Sequence, residues 1–221
     1  MFMKRTYIII ILCLVSRLTS GQTMFDILKQ LPKENFEEIN IDSLIKNEKF
    51  YPASNSDEQI IRYTLTGVND ITGTLRIEMT FESGQRGFII RELRRIKVTD
   101  NEFIIVYSVV NGAPIAFGQS ELATYKLKRG QLTKTKKNLL PSNIGLADFV
   151  KPNTPDSVIA KYNEYSNHSY ELVYSGDNIC YVLYENFDSF EIDRSWLLGN
   201  KIEFIFRNGK FKRASPSFSE E

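Results

Sequence analysis

From residue 59 onward the chain is built of short runs rich in β-branched and aromatic side chains, broken by Gly, Asn, Asp and Ser. In one of them Leu75, Ile77, Met79 and Phe81 alternate with Arg76, Glu78 and Thr80, the pattern of a strand buried on one face. This rhythm predicts strands at 59–66, 74–81, 87–98, 102–110, 115–118, 122–128 and 131–134, with turns at Ser83-Gly84 and Asn111-Gly112. It breaks between Asn138 and Asn167, where Pro141, Gly145, Pro152 and Pro155 punctuate the chain. Thr154 as cap, Pro155 at the first helical position and Asp156 behind it predict a helix to about Tyr165. Strands then resume at 170–174, 179–184, 190–196, 201–207 and 210–213.

Ahead of residue 59 the period changes. Met24, Phe25, Ile27, Leu28 and Leu31 form an apolar stripe, with Thr23 as cap, Asp26 three residues on and Pro32 as the stop, so a short helix is expected over 24–31. A helix of this length is unstable alone and must dock its stripe on the sheet or on a partner, the chain's own sheet being the commoner outcome. A second short helix is expected at 43–47, capped by Asp42, within an acidic stretch that reads as a solvated face.

Two passages recur. Residues 100–107 (DNEFIIVY) are answered by 177–184 (DNICYVLY) at an offset of 77, and 125–132 (YKLKRGQL) by 204–211 (FIFRNGKF) at an offset of 79. Two matches in the same order at nearly the same spacing point to a duplicated unit with a small insertion. Asn208-Gly209 supplies the positive φ angles of a type I′ turn, which sets Phe206 opposite Phe211, Phe204 opposite Arg213, Ile205 opposite Lys212 and Arg207 opposite Lys210. If Arg129-Gly130 is the equivalent loop, Leu127 opposes Leu132 and Lys126 opposes Thr133. The expected fold is therefore mainly β (α+β): two tandem, related antiparallel β-meanders at 59–140 and 168–221. A helical, acidic segment at 22–58 precedes them, and a linker with a helix at 141–167 separates them.

Lys4 and Arg5, the apolar run 7–15 and the small residues Thr19 and Gly21 before Gln22 have the form of a secretory signal peptide, with cleavage between Gly21 and Gln22. The run is too short to span a bilayer, so no transmembrane span is expected after cleavage. Bulky Leu12 ahead of Cys13 argues against a lipoprotein signal, and places Cys13 in the oily core of the leader. Cleavage lowers the 28 basic residues to 25 against 27 acidic ones, a balance that argues against nucleic-acid binding. Cys180 alone remains, so no internal disulfide forms, and its strand setting reads as a small buried hydrophobe.

The inventory for catalysis is thin. His168 is the single histidine and lies in a polar loop, and no phosphate-binding, dinucleotide or nucleophile-elbow motif occurs. No catalytic residue, metal ligand or cofactor is expected. Glu185, Asp188, Glu191 and Asp193 cluster without the spacing of a calcium loop, and read as a solvated inter-strand loop. The repeated basic positions Lys126, Lys128, Arg207 and Lys210 could meet an anionic glycan, a lipid head group or an acidic protein, or could guard sheet edges against aggregation. Trp196 could be a stacking platform or a core aromatic. Together these features point to a secreted or periplasmic, envelope-associated, non-catalytic protein that binds a protein or glycan partner through a β-sheet surface. An inhibitor presenting residues 185–194 to an enzyme cleft, or a carboxylate-dependent hydrolase, are the competing readings.

Overall fold

The strand Glu102–Ala113 has alternate residues in two different hydrophobic cores. Ile104 and Val106 enter a core shared with a second sheet, while Ile105, Tyr107 and Val109 enter a core shared with the N-terminal helices. A strand covered on both faces has little room for polar residues, which explains the unbroken run Ile104-Ile105-Val106-Tyr107. The computed structural model describes residues 22–53, 60–82, 87–113, 116–141, 144–166, 170–183 and 194–218.

The larger sheet is a seven-stranded antiparallel meander in chain order: β1 (Lys49–Phe50), β2 (Ile61–Asn69), β3 (Thr74–Phe81), β4 (Phe88–Thr99), β5 (Glu102–Ala113), β6 (Ala116–Lys128) and β7 (Gln131–Lys134). The smaller sheet is a four-stranded antiparallel meander of β8 (Tyr170–Ser175), β9 (Asn178–Leu183), β10 (Lys201–Arg207) and β11 (Lys210–Arg213). Helices α1 (Met24–Leu28) and α2 (Ile41–Asn47) precede the sheets and α3 (Asp156–Ser166) lies between them in the chain. The expected mainly β architecture of two tandem antiparallel meanders is thus present. The order β4 to β7 is repeated by β8 to β11.

The repeat aligns through its turns. Asp100-Asn101 joins β4 to β5, with Thr99 opposite Glu102, whereas Gly176-Asp177 joins β8 to β9, with Ser175 opposite Asn178. Asp100 therefore corresponds to Gly176, and the sequence offset of 77 is one residue too long. With that correction Ile105 takes the place of Tyr181, Tyr125 keeps that of Phe204, and all four are buried, the first and third against the N-terminal layer and the other two in the core between the sheets.

Both hairpins have the expected register. Phe206 faces Phe211 and Arg207 faces Lys210, while Leu127 faces Leu132 and Lys126 faces Thr133. The loop residues Asn208 and Gly209 have φ of 51° and 75°, and Arg129 and Gly130 have 51° and 80°, as a type I′ turn demands.

Several expectations need correction. Asn111-Gly112 is not a turn: Asn111 pairs with Gly118 and Gly112 with Phe117, because β5 continues to Ala113. The expected strands at 115–118 and 122–128 are one strand, β6, with an irregularity where Val109 and Val110 face Glu121 and Gln119. Asn40 rather than Asp42 caps α2, its side chain accepting from Ser43 N at 2.9 Å. The Thr154 hydroxyl donates to the Lys151 carbonyl at 2.7 Å instead of capping α3, and Pro155 accepts the first helical bonds. Residues 194–196 form a 3-10 turn, not the end of a strand, and the rest of that expected strand lies outside the described residues, as does the turn at Ser83-Gly84.

Helix α1 shows why the N-terminal layer holds. Thr23 accepts from Asp26 N while the Asp26 carboxylate accepts from Thr23 N, closing a capping box. Met24, Ile27 and Leu28 are buried against the larger sheet, a gain of roughly 1.5–3 kcal/mol for each. The stripe docks on the chain's own sheet, and the helix ends at Leu28, with Leu31 buried in the following turn.

Candidate functional site

In an antiparallel meander, alternate turns return to the same end. The β2–β3, β4–β5 and β6–β7 turns share one end of the larger sheet, and Arg129 N donates to the Asn101 carbonyl at 3.3 Å, bringing two of them level. The smaller sheet brings its own turns there. Arg94 Nη2 donates to the Gly176 carbonyl in the β8–β9 turn at 2.7 Å, and a Cβ on Gly209 in the β10–β11 turn would stand 3.3 Å from Val98 Cγ1. The two hairpins singled out by the repeat therefore lie at the same end, each beside the β4–β5 hairpin.

The basic residues of that end are not equivalent. Lys126 and Lys128 lie across from Ile104 and Glu102, and both ammonium groups approach the Glu102 carboxylate, at 4.0 and 3.5 Å. Two cations on one carboxylate leave a net positive charge. Arg207 and Lys210 face one another across β10 and β11, are exposed, and have no ion-pair partner among the described residues. Like charges directly opposite in a hairpin repel and destabilise it slightly, so this pairing costs stability that an anionic partner would return. Trp196 sits in the 3-10 turn, half-buried against the core between the sheets, with its carbonyl accepting from Lys151 N at 2.9 Å. No described contact joins it to the hairpin residues. The acidic cluster 185–193, His168 and Gly21 lie outside the described residues.

Gln22 completes this end. Its carbonyl accepts from the Arg95 guanidinium, which also donates to the Asp70 carbonyl, and its side-chain amide donates to the Gly130 carbonyl at 3.2 Å. The Asp70 carboxylate accepts from Met24 N at 2.6 Å. One chain of contacts thus links the β2–β3 turn, Gln22 at the start of the described residues and the β6–β7 turn. At the tip of the β2–β3 turn Ile71 is 96% exposed. The Asn69 side chain shapes that turn by accepting from Ile71 N and Thr72 N, both at 2.9 Å. Sequence reasoning passed over Arg95, Asp70 and Ile71. The run Asn69-Asp70 followed by Gly73 was the available signal for the turn, but nothing in it indicates which strand will hold it.

A second polar cluster was also missed. Beneath the 3-10 turn Lys33–Phe36, Arg91 Nε donates to the Asn35 carbonyl at 3.3 Å, and its guanidinium lies 6.0 Å from the Tyr63 ring centroid. The Tyr107 hydroxyl lies against Arg91 and that of Tyr125 against Asn35, yet neither hydroxyl closes a hydrogen bond. Burial pushes the ionisation of both tyrosines upward. Burial and the hydrogen bond to Glu38 push Tyr63 up to about 12. Beside this cluster an open cleft of about 620 Å³ runs between α1 and α2, lined by Leu28, Leu31, Phe36 and Ile39 with Lys29 and Glu34 at its edges. Cys180 is buried, as expected of a strand cysteine, and burial pushes its thiol up.

Residues 19–107 match a protein family described as "Lipoprotein associated domain". The matched part runs from Thr19 through α1 and α2 to the middle of β5, and so includes Gln22, Asp70, Ile71 and Arg95. Among solved structures, a domain of an uncharacterized protein from Porphyromonas gingivalis W83 has a similar fold, with a TM-score of 0.54 and 11% sequence identity over 86% of this chain and 96% of that one. At that identity the likeness is one of fold. Comparison with curated proteins gives no match. Among the described residues no helix is long and apolar enough to cross a membrane.

Proposed function

We propose that this is an exported, envelope-associated, non-catalytic protein that binds an anionic component of the envelope through the end where the two hairpins lie. The observation that supports the reading is that the β6–β7 and β10–β11 turns both lie beside the β4–β5 hairpin, so that Lys126, Lys128, Arg207 and Lys210 belong to the same end although they are distant in sequence. The like-charge pair Arg207 and Lys210 supports it, since a hairpin selected for stability alone has no reason to oppose two cations. The family match supports the envelope setting.

Binding of the mature protein to a sulfated dextran and to neutral dextran tests this. Salt-sensitive binding to the sulfated polymer alone is expected, weakened by Arg207→Glu with Lys210→Glu and retained by Lys33→Glu with Lys46→Glu, which alter cations of the N-terminal layer instead. Equal loss in both double variants, or no binding by the parent protein, overturns the reading. Export is checked by the intact mass of the secreted protein, which should begin at Gln22.

A further inference from the structure

The same end carries an exposed apolar side chain, and this narrows the class of partner. We propose that the hairpin end seats on an anionic lipid surface, with Ile71 entering the headgroup layer and the unpaired cations meeting lipid phosphates. The inference rests on the reading above that this end is the binding surface, and names its partner.

Two observations converge. Ile71 is 96% exposed at the tip of a turn fixed by Asn69 below and by Arg95 at its side, so the apolar group is presented on a rigid support. An isoleucine held in water gains by burial in a lipid interface, and a preformed turn loses little entropy on docking. The cations of this end outnumber its anions. Arg129, Arg207 and Lys210 have no ion-pair partner among the described residues, Lys126 and Lys128 share Glu102, and Asp100 is taken up by Lys97 at 2.7 Å. Asp70 is bound to Met24 N, and Asp177 adds one negative charge.

A single apolar side chain and a few surface cations each bind lipid weakly, and their sum gives reversible, salt-dependent attachment. The test is co-sedimentation of the mature protein with vesicles of phosphatidylcholine, with and without phosphatidylglycerol. Binding only to the phosphatidylglycerol vesicles is expected, weakened about tenfold by Ile71→Asp and by Arg207→Glu with Lys210→Glu, and kept by Ile71→Leu. Ile71 makes almost no contact with the fold, so thermal unfolding of Ile71→Asp should match the parent, which separates lost binding from lost folding. Absence of binding to phosphatidylglycerol vesicles overturns the inference, as does binding that ignores the Ile71→Asp change. If the parent binds sulfated dextran but not the vesicles, the lipid assignment falls and the anionic-partner reading stands. If it binds neither, both fall.

Discussion

The guanidinium of Arg95 donates to the backbone carbonyl of Gln22, the first described residue of the chain. The same group reaches Asp70 in the next hairpin and lies 5.4 Å from the Phe103 ring centroid, so one β4 side chain ties the start of the fold to two strands. A planar fork can serve two carbonyls and stack at the same time, which an ammonium cannot. Arg95→Lys should therefore lower stability by about 1–2 kcal/mol and raise amide exchange over residues 23–28 and 70–73. Exchange unchanged in both segments would show that the tie is not holding them.

The two type I′ loops differ in their surroundings. Gly130 has open space around the position of a Cβ, while Gly209 faces Val98 of the other sheet, and both have positive φ. Gly130→Val should cost about 1–2 kcal/mol from backbone strain alone. Gly209→Val should cost more, because the added side chain also pushes the smaller sheet from β4. Equal shifts in melting temperature would mean that the turn does not press on Val98.

Hydroxyl deletion separates a satisfied tyrosine from an unsatisfied one. Tyr181 donates to the Pro141 carbonyl at 2.7 Å, and Tyr181→Phe should destabilise by about 1 kcal/mol. Tyr107 is just as buried, but its hydroxyl only lies against Arg91 without closing a well-formed hydrogen bond, so Tyr107→Phe should cost less than Tyr181→Phe. A large loss in the second variant would reveal a partner for that hydroxyl.

The capping box gives a pH dependence. Hydrogen bonds from the Thr23 hydroxyl and the Thr23 backbone N–H hold the Asp26 carboxyl below the usual carboxylate range. A carboxyl with a lowered folded-state pKa contributes stability that is complete above its unfolded value and is lost as pH falls through the folded one. Asp26→Asn should cost about 0.5 kcal/mol at neutral pH, with the difference from the parent vanishing in strong acid. A constant difference across the acid range would show that the charge of Asp26 has no part in the cap.

Local chemistry decided much of this protein from sequence alone. A two-residue loop with two positive φ angles admits one register, so the partners of Phe206, Arg207, Leu127 and Lys126 follow from Asn208-Gly209 and Arg129-Gly130 without any tertiary information. The capping box at Thr23 and the meander order are equally local. Where local preference was weaker than the ladder it competed with, the reading failed. Asn111-Gly112 has ideal turn chemistry, yet extending β5 to Ala113 adds cross-strand pairs to Gly118, Phe117 and Ala116. Only the tertiary structure decided which core each sheet face would enter, and that the β10–β11 turn would lie on Val98. Contacts between sheets depend on how twisted surfaces pack at a distance, and no spacing in the chain encodes that directly. Ile71, Arg95 and Gln22 came together for the same reason: no pattern in the sequence relates them, and packing placed them side by side.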